Sequence, residues 1–88
     1  MISKNYIIAA VEGIHARPAT TLIRIAKKYK SFVSIKKGDH SVRLNSMFNI
    51  LTLGAKGGDT ITITVEGEDE ADAAQAIENF FKEELKKL

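Results

Sequence analysis

The segment Thr60-Ile61-Thr62-Ile63-Thr64-Val65-Glu66 constrains this chain more than any other. Polar and apolar residues alternate without a break and every residue but the last is β-branched, a period of two that suits a pleated strand and no helix. The strand is entered through Gly57-Gly58-Asp59 and left at Gly67, both turn-forming.

The remaining patterns supply its partners. Residues 2–10, with Tyr6 and Ile8 alternating with less apolar neighbours, predict a first strand that ends at the Glu12-Gly13 turn. Phe32-Val33-Ser34-Ile35-Lys36 and Ser41-Val42-Arg43-Leu44 alternate likewise around Lys37-Gly38-Asp39-His40, which predicts a hairpin with Val33, Ile35, Val42 and Leu44 inward. His40 reads as a solvated turn residue.

Three helices complete the pattern. From Ala16 to Tyr29, Ala19, Leu22, Ile23 and Ala26 recur at helical spacing, while Arg17, Thr20, Thr21, Arg24, Lys27 and Lys28 line another face. Pro18 belongs in the first turn, where a missing N–H leaves no intrahelical bond unmade. Asn45-Ser46 offers cap chemistry for a short helix over Met47–Leu53, which Gly54 can end in the left-handed conformation. Asp69 can cap a last helix with Glu70 and Asp72 in its first turn, Ala73, Ile77, Phe80, Phe81 and Leu85 near one side, and Lys86-Lys87 near its negative end. The order β-α-β-β-α-β-α, with one hairpin and two strand-helix-strand crossings, implies an α+β fold: a four-stranded antiparallel sheet with its helices on one face.

Composition bounds the function. At 88 residues the chain suits a single domain spanning 1–88. It has no cysteine, so neither a disulfide nor a thiolate metal site can hold it together. The longest apolar run, Tyr6 to Val11, is far shorter than the ~20 residues a membrane span requires, and neither export nor a membrane anchor is expected. Lys plus Arg exceed Asp plus Glu by 13 − 11 = 2, and the charges are spread, a bias too weak to indicate nucleic acid but compatible with an acidic protein partner. A hydrolase is also disfavoured, since the chain has no Gly-x-Ser-x-Gly elbow and no clustered metal ligands.

The chemistry-bearing residue is His15, immediately before the helix that opens at Ala16. First-turn amides, those of Ala16 and Arg17 among them, have no intrahelical carbonyl to bond, and the helix dipole puts about half a positive charge there. Such a place favours phosphate and disfavours imidazolium, so a histidine starting from a pKa of about 6.5 is expected to be largely neutral and nucleophilic. Arg17 adds a guanidinium able to pair with phosphoryl oxygens. Taken alone, His15-Ala16-Arg17-Pro18 is weak, because a capping histidine and a solvated arginine are the commoner explanation of such a tetrapeptide.

Context removes that ambiguity. Gly13-Ile14-His15-Ala16-Arg17-Pro18-Ala19, following a strand and opening a helix, together with Ser46-Met47-Phe48 and Leu53-Gly54, resembles HPr, the histidine-containing phosphocarrier family of the phosphoenolpyruvate-dependent sugar phosphotransferase system. The resemblance covers essentially the whole chain. It implies an open-faced β-sandwich. It further implies that phosphate arrives on Nδ1 of His15 from enzyme I, charged by phosphoenolpyruvate, and leaves to a sugar-specific enzyme IIA, in the cytoplasm and with no cofactor or metal. Because the group must be passed on, docking should be modest and transient, and a monomer that meets its partners in turn is expected.

The resemblance also places the short second helix beside His15 on the partner surface, with Met47, Phe48 and Leu51, and with Thr20, Arg24 and Lys27 from the first helix. From spacing alone, Met47 and Leu51 lie one turn apart while Ile50 and Leu53 occupy another side, which leaves core and interface readings equally open. Ser46 carries two readings as well. A helix N-cap, worth about 1 kcal/mol, would account for a serine here. In Gram-positive members the matching serine is phosphorylated by HPr kinase/phosphorylase and the product joins a catabolite-control transcription factor, so the resemblance implies a regulatory site for carbon catabolite repression. Met47, Phe48 and Asn49 depart from the usual Gram-positive Ser-Ile-Met-Gly pattern, and Phe48 is similar to enteric members. Within the family the alternative is a carrier of the nitrogen-related phosphotransferase branch, which feeds regulators; Arg17 and Pro18 favour the sugar branch.

Overall fold

The computed structural model describes residues 1–9, 14 and 16–85. Along the chain run β1 (Ile2–Ile7), α1 (Ala16–Lys27), β2 (Phe32–Lys37), β3 (His40–Arg43), α2 (Met47–Leu51), β4 (Thr60–Glu66), α3 (Glu70–Asn79) and a π-helical turn over Phe80–Glu84.

β4 lies inside a four-stranded antiparallel sheet of order β1-β4-β2-β3. Its alternation buries Ile61, Ile63 and Val65 on one side. Register sets Tyr6 beside Ile61, Ile35 beside Ile63 and Val33 beside Val65, so the apolar positions of neighbouring strands share that face. Each such aliphatic side chain contributes about 1.5–3 kcal/mol relative to an exposed one. The opposite face carries the rows Asn5-Thr62-Lys36 and Ser3-Thr64-Ser34, and Thr62 Oγ1 donates to Asn5 Oδ1 at 2.7 Å. Helices cover the apolar face alone, with Ala19, Leu22 and Ala26 of α1 and Ala73 and Ile77 of α3 buried against it. This is the expected open-faced arrangement.

The hairpin forms as its turn residues require. Lys37 pairs with His40, and Gly38 takes φ 59° at the first of the two central positions, where a type II′ turn needs a residue free of Cβ.

Element ends differ from the sequence reading. β1 stops at Ile7, and Ile8 turns into the core, its N–H bonded to Asp59 O and its carbonyl accepting from Gly58, both at 2.9 Å. α1 stops at Lys27, where Lys28 and Tyr29 donate to carbonyls three residues back and tighten the end. α2 ends at Leu51; Leu53 and Gly54 close it with the same short bonds, and Gly54 takes the expected left-handed φ of 61°. After α3 the wider π turn accommodates adjacent rings in the core, Phe80 edge-on to Phe81 and Phe81 stacked on Tyr6 with centroids 4.9 Å apart.

Neither expected cap is made by a side chain. Asp69 and Ser46 occupy the N-cap positions of α3 and α2 without a capping hydrogen bond. The Asp69 carboxylate instead crosses to the α1–β2 connection, accepting from Ser31 Oγ at 2.5 Å and from the Lys30 N–H at 2.8 Å. The expected Glu12-Gly13 turn and the Lys86-Lys87 pair lie outside the described residues.

Candidate functional site

The site is assembled where the start of α1 meets α2. Ile14 is buried and donates its N–H to Ala55 O at 3.1 Å, which ties the chain ahead of α1 to the segment that leaves α2. His15 lies outside the described residues; Ala16, the next residue, opens α1. Pro18 and Ala19 face the core while Ala16, Arg17 and Thr20 face solvent, so packing orients the first turn. Pro18 there gives up only an N–H that the helix has no use for. Neither α1 nor α2 contains an acidic residue, and Arg17, Thr20, Arg24 and Lys27 form an exposed stripe at helical spacing. The field at this end of α1 is therefore that of the helix dipole and the Arg17 guanidinium, which suits an anion.

α2 divides its apolar residues cleanly. Ile50 is 1% exposed and Leu53 is buried, whereas Met47 is 42%, Phe48 75% and Leu51 44% exposed. Of the two readings open in the sequence, Ile50 and Leu53 are core and the other three are surface. Thr20 Oγ1 donates to the Ala16 carbonyl at 2.8 Å and stands 3.5 Å from Met47 Sδ, so the cationic stripe of α1 runs directly into the apolar surface of α2. Ser46 precedes Met47, half-buried in extended backbone with φ −150° and ψ 131°. Its hydroxyl does not cap the helix, so the capping account of a serine here fails. The local bond is made instead by Asn49 Nδ2 to Asn45 Oδ1 at 3.3 Å.

Long-range polar contacts brace the segment behind this surface, and sequence reasoning missed them because no local pattern announces them. Lys37 Nζ donates to Gly54 O at 3.1 Å and pairs with Asp59 at 3.1 Å. Asp59 also accepts the Lys56 N–H at 2.8 Å. That backbone bond, with the Lys37 ammonium, holds the Asp59 carboxyl below the usual aspartate value. His40, exposed as expected, places Nε2 3.2 Å from Thr52 Oγ1 at the end of α2. Among the described residues no group of three His, Cys, Asp or Glu could hold a metal, and no helix is long and apolar enough to cross a membrane.

The chain is similar to known proteins. The chain matches the family model of the PTS HPr component phosphorylation site over residues 2–83. It is 40% identical over 84 residues to the phosphocarrier protein HPr of Borreliella burgdorferi, spanning 91% of this chain and 98% of that protein. The fold matches the crystal structure of HPr-C-His from Thermoanaerobacter tengcongensis with a TM-score of 0.91 at 28% identity, covering 97% of this chain and 96% of that one. It matches a Mycoplasma histidine-containing phosphocarrier protein with a TM-score of 0.90 at 32% identity, covering 96% of each chain.

Proposed function

The chain belongs to the HPr family, the phosphocarriers of the phosphotransferase system, and on that footing we propose that its single domain, residues 1–88, relays a phosphoryl group on His15 from enzyme I, charged by phosphoenolpyruvate, to a sugar-specific enzyme IIA. One observation carries this reading: a twelve-residue helix opens at the residue after His15, with Arg17 exposed in its first turn and an exposed apolar helix alongside.

The roles follow from chemistry. The Nδ1 lone pair of a neutral His15 attacks the phosphorus held on a donor histidine of enzyme I; the new P–N bond forms as the donor's breaks, and the reverse step discharges the group to enzyme IIA. The positive end of α1 disfavours imidazolium and so favours the attacking form. Amides of Ala16 and Arg17 and the Arg17 guanidinium carry the equatorial oxygens as charge redistributes. Met47, Phe48 and Leu51 form the apolar centre of the docking surface and Thr20, Arg24 and Lys27 its polar rim, the anatomy of a transient interface. The carrier acts as a cytoplasmic monomer, and no cofactor is needed because the phosphoryl group is cargo.

Ser46 is proposed as a regulatory phosphorylation site for an ATP-dependent kinase of the HPr kinase/phosphorylase type. Its hydroxyl is uncommitted to the cap of α2 and stands next to Met47, so a phosphate there would set a double negative charge against the docking surface and oppose acidic partners without unfolding the chain.

The test is incubation with enzyme I, phosphoenolpyruvate and Mg²⁺, then mass spectrometry under alkaline conditions, with His15→Ala and Ser46→Ala in parallel. Phosphate that vanishes in His15→Ala and persists in Ser46→Ala is expected. Folded protein left unphosphorylated by active enzyme I would overturn the sugar-carrier reading and promote a carrier of the nitrogen-related branch.

A further inference from the structure

We propose that Met47 is a reversible oxidation site through which peroxide weakens docking of this carrier to its partners. The inference rests on the docking reading of α2 given above.

The chain has no cysteine and two methionines, so Met1 and Met47 are its only oxidisable sulfurs. Met1 precedes β1, and its amino group is held 2.8 Å from Glu70 at the beginning of α3, away from the α1–α2 surface. Met47 lies within that surface, exposed between Phe48 and Leu51 on α2 and Thr20 on α1. The residue is 42% exposed, so nothing in the core need open for a reagent to approach it.

The contact with Thr20 makes the change consequential. A threonine hydroxyl has one proton, and this one serves the Ala16 carbonyl at 2.8 Å and the Met47 sulfur at the longer 3.5 Å. In the reaction, a lone pair on Sδ attacks one oxygen of hydrogen peroxide. The S–O bond forms as the O–O bond breaks, and the proton on the attacked oxygen passes to the departing hydroxide, which leaves as water. Sulfur is oxidised by two electrons and the peroxide is reduced. An oxygen placed toward Thr20 does not fit in the present gap, so the sulfur backs away or the oxygen turns to solvent. Either way a polar, strongly hydrated group stands in the middle of an apolar patch, and an arriving partner must strip its water. Burial elsewhere is untouched, so the fold survives. The lesion is repaired by methionine sulfoxide reductases, which makes it a switch.

The experiment treats the purified chain with hydrogen peroxide and follows each methionine by mass spectrometry. Transfer from enzyme I is then measured as a function of carrier concentration. Conversion of Met47 is expected to raise the KM for the carrier about tenfold with little change in maximal rate. Treatment with methionine sulfoxide reductases should restore the starting KM. Met47→Leu, whatever its own KM, should show the same value before and after peroxide although Met1 is converted. Full conversion of Met47 with an unchanged KM would overturn the proposal. Failure of untreated protein to accept phosphate would instead strike the carrier reading, so the two failures are told apart.

Discussion

Asp69 binds Ser31 across 38 residues of sequence, its carboxylate accepting the Ser31 hydroxyl at 2.5 Å and the Lys30 amide at 2.8 Å. The start of α3 is thereby tied to the connection between α1 and β2. These donors hold the Asp69 carboxyl below its ordinary pKa of 3.8. A carboxyl whose folded pKa is depressed stabilises the fold fully above its unfolded pKa and loses that contribution as pH falls through the folded value. We expect Asp69→Asn to melt a few degrees below the parent chain at neutral pH, with the gap closing on acidification below about pH 4. Thermal melts of both proteins from pH 7 to pH 2.5 check this; a gap that stays constant would show that the carboxylate's charge contributes nothing.

Gly67 faces the same connection. A Cβ at this position would lie 2.6 Å from Ser31 Cα, which is backbone and cannot swing aside. Gly67→Ala should therefore destabilise the chain by roughly 1–3 kcal/mol, the usual cost of forcing extra atoms into a packed site. Urea unfolding measures it, and a loss under about 0.5 kcal/mol would mean that the loop moves freely.

Adjacent residues of α2 should separate stability from docking. Ile50→Ala leaves a cavity in the core and should cost about 2–5 kcal/mol. Leu51→Ala, at 44% exposure, should cost less than about 1 kcal/mol while raising the KM for enzyme I severalfold. Denaturation and transfer assays on both variants decide it; equal stability losses would contradict the division of α2 into core and surface.

Arg17 is expected to act on the transferred group and to leave folding alone. Arg17→Ala should slow transfer on the order of 10²-fold with melting unchanged, in line with loss of one preorganised donor to developing charge. Arg17→Lys should recover part of the rate, since the charge remains but the paired hydrogen-bonding geometry does not. Rapid-quench measurement of phosphate arriving on the carrier tests both, and a normal rate in Arg17→Ala would remove Arg17 from the chemistry.

Much of this molecule was legible locally. The alternation of Thr60–Glu66, the hairpin around Gly38 and the amphipathic run from Ala16 are set by neighbours two to four positions apart; the strand formed with the expected ends, and the hairpin and helix with ends shifted by one or two residues. The segment around His15 was conspicuous because a rare tetrapeptide fell at a strand-to-helix junction, and the phosphocarrier family followed from it. Asp69 and Ser46 sit at helix starts without capping them, since a short polar side chain there satisfies the local rule whether or not the bond is made, and for Asp69 distant donors take the carboxylate. Ser31 and the Lys30 amide competed for Asp69 and won.

The four strands, the three α-helices, the apolar face of the sheet and the family are all legible in contiguous residues, where periodicity and motif are written; the π turn after α3 is not. Tertiary structure alone decided which apolar residues of α2 are buried, that Met47 meets Thr20, that Ile14 is anchored on Ala55 and that Lys37 braces Gly54 and Asp59. Each of those outcomes depends on how separate elements lie against one another, and that arrangement is settled by burying a shared core and not by any one stretch of chain.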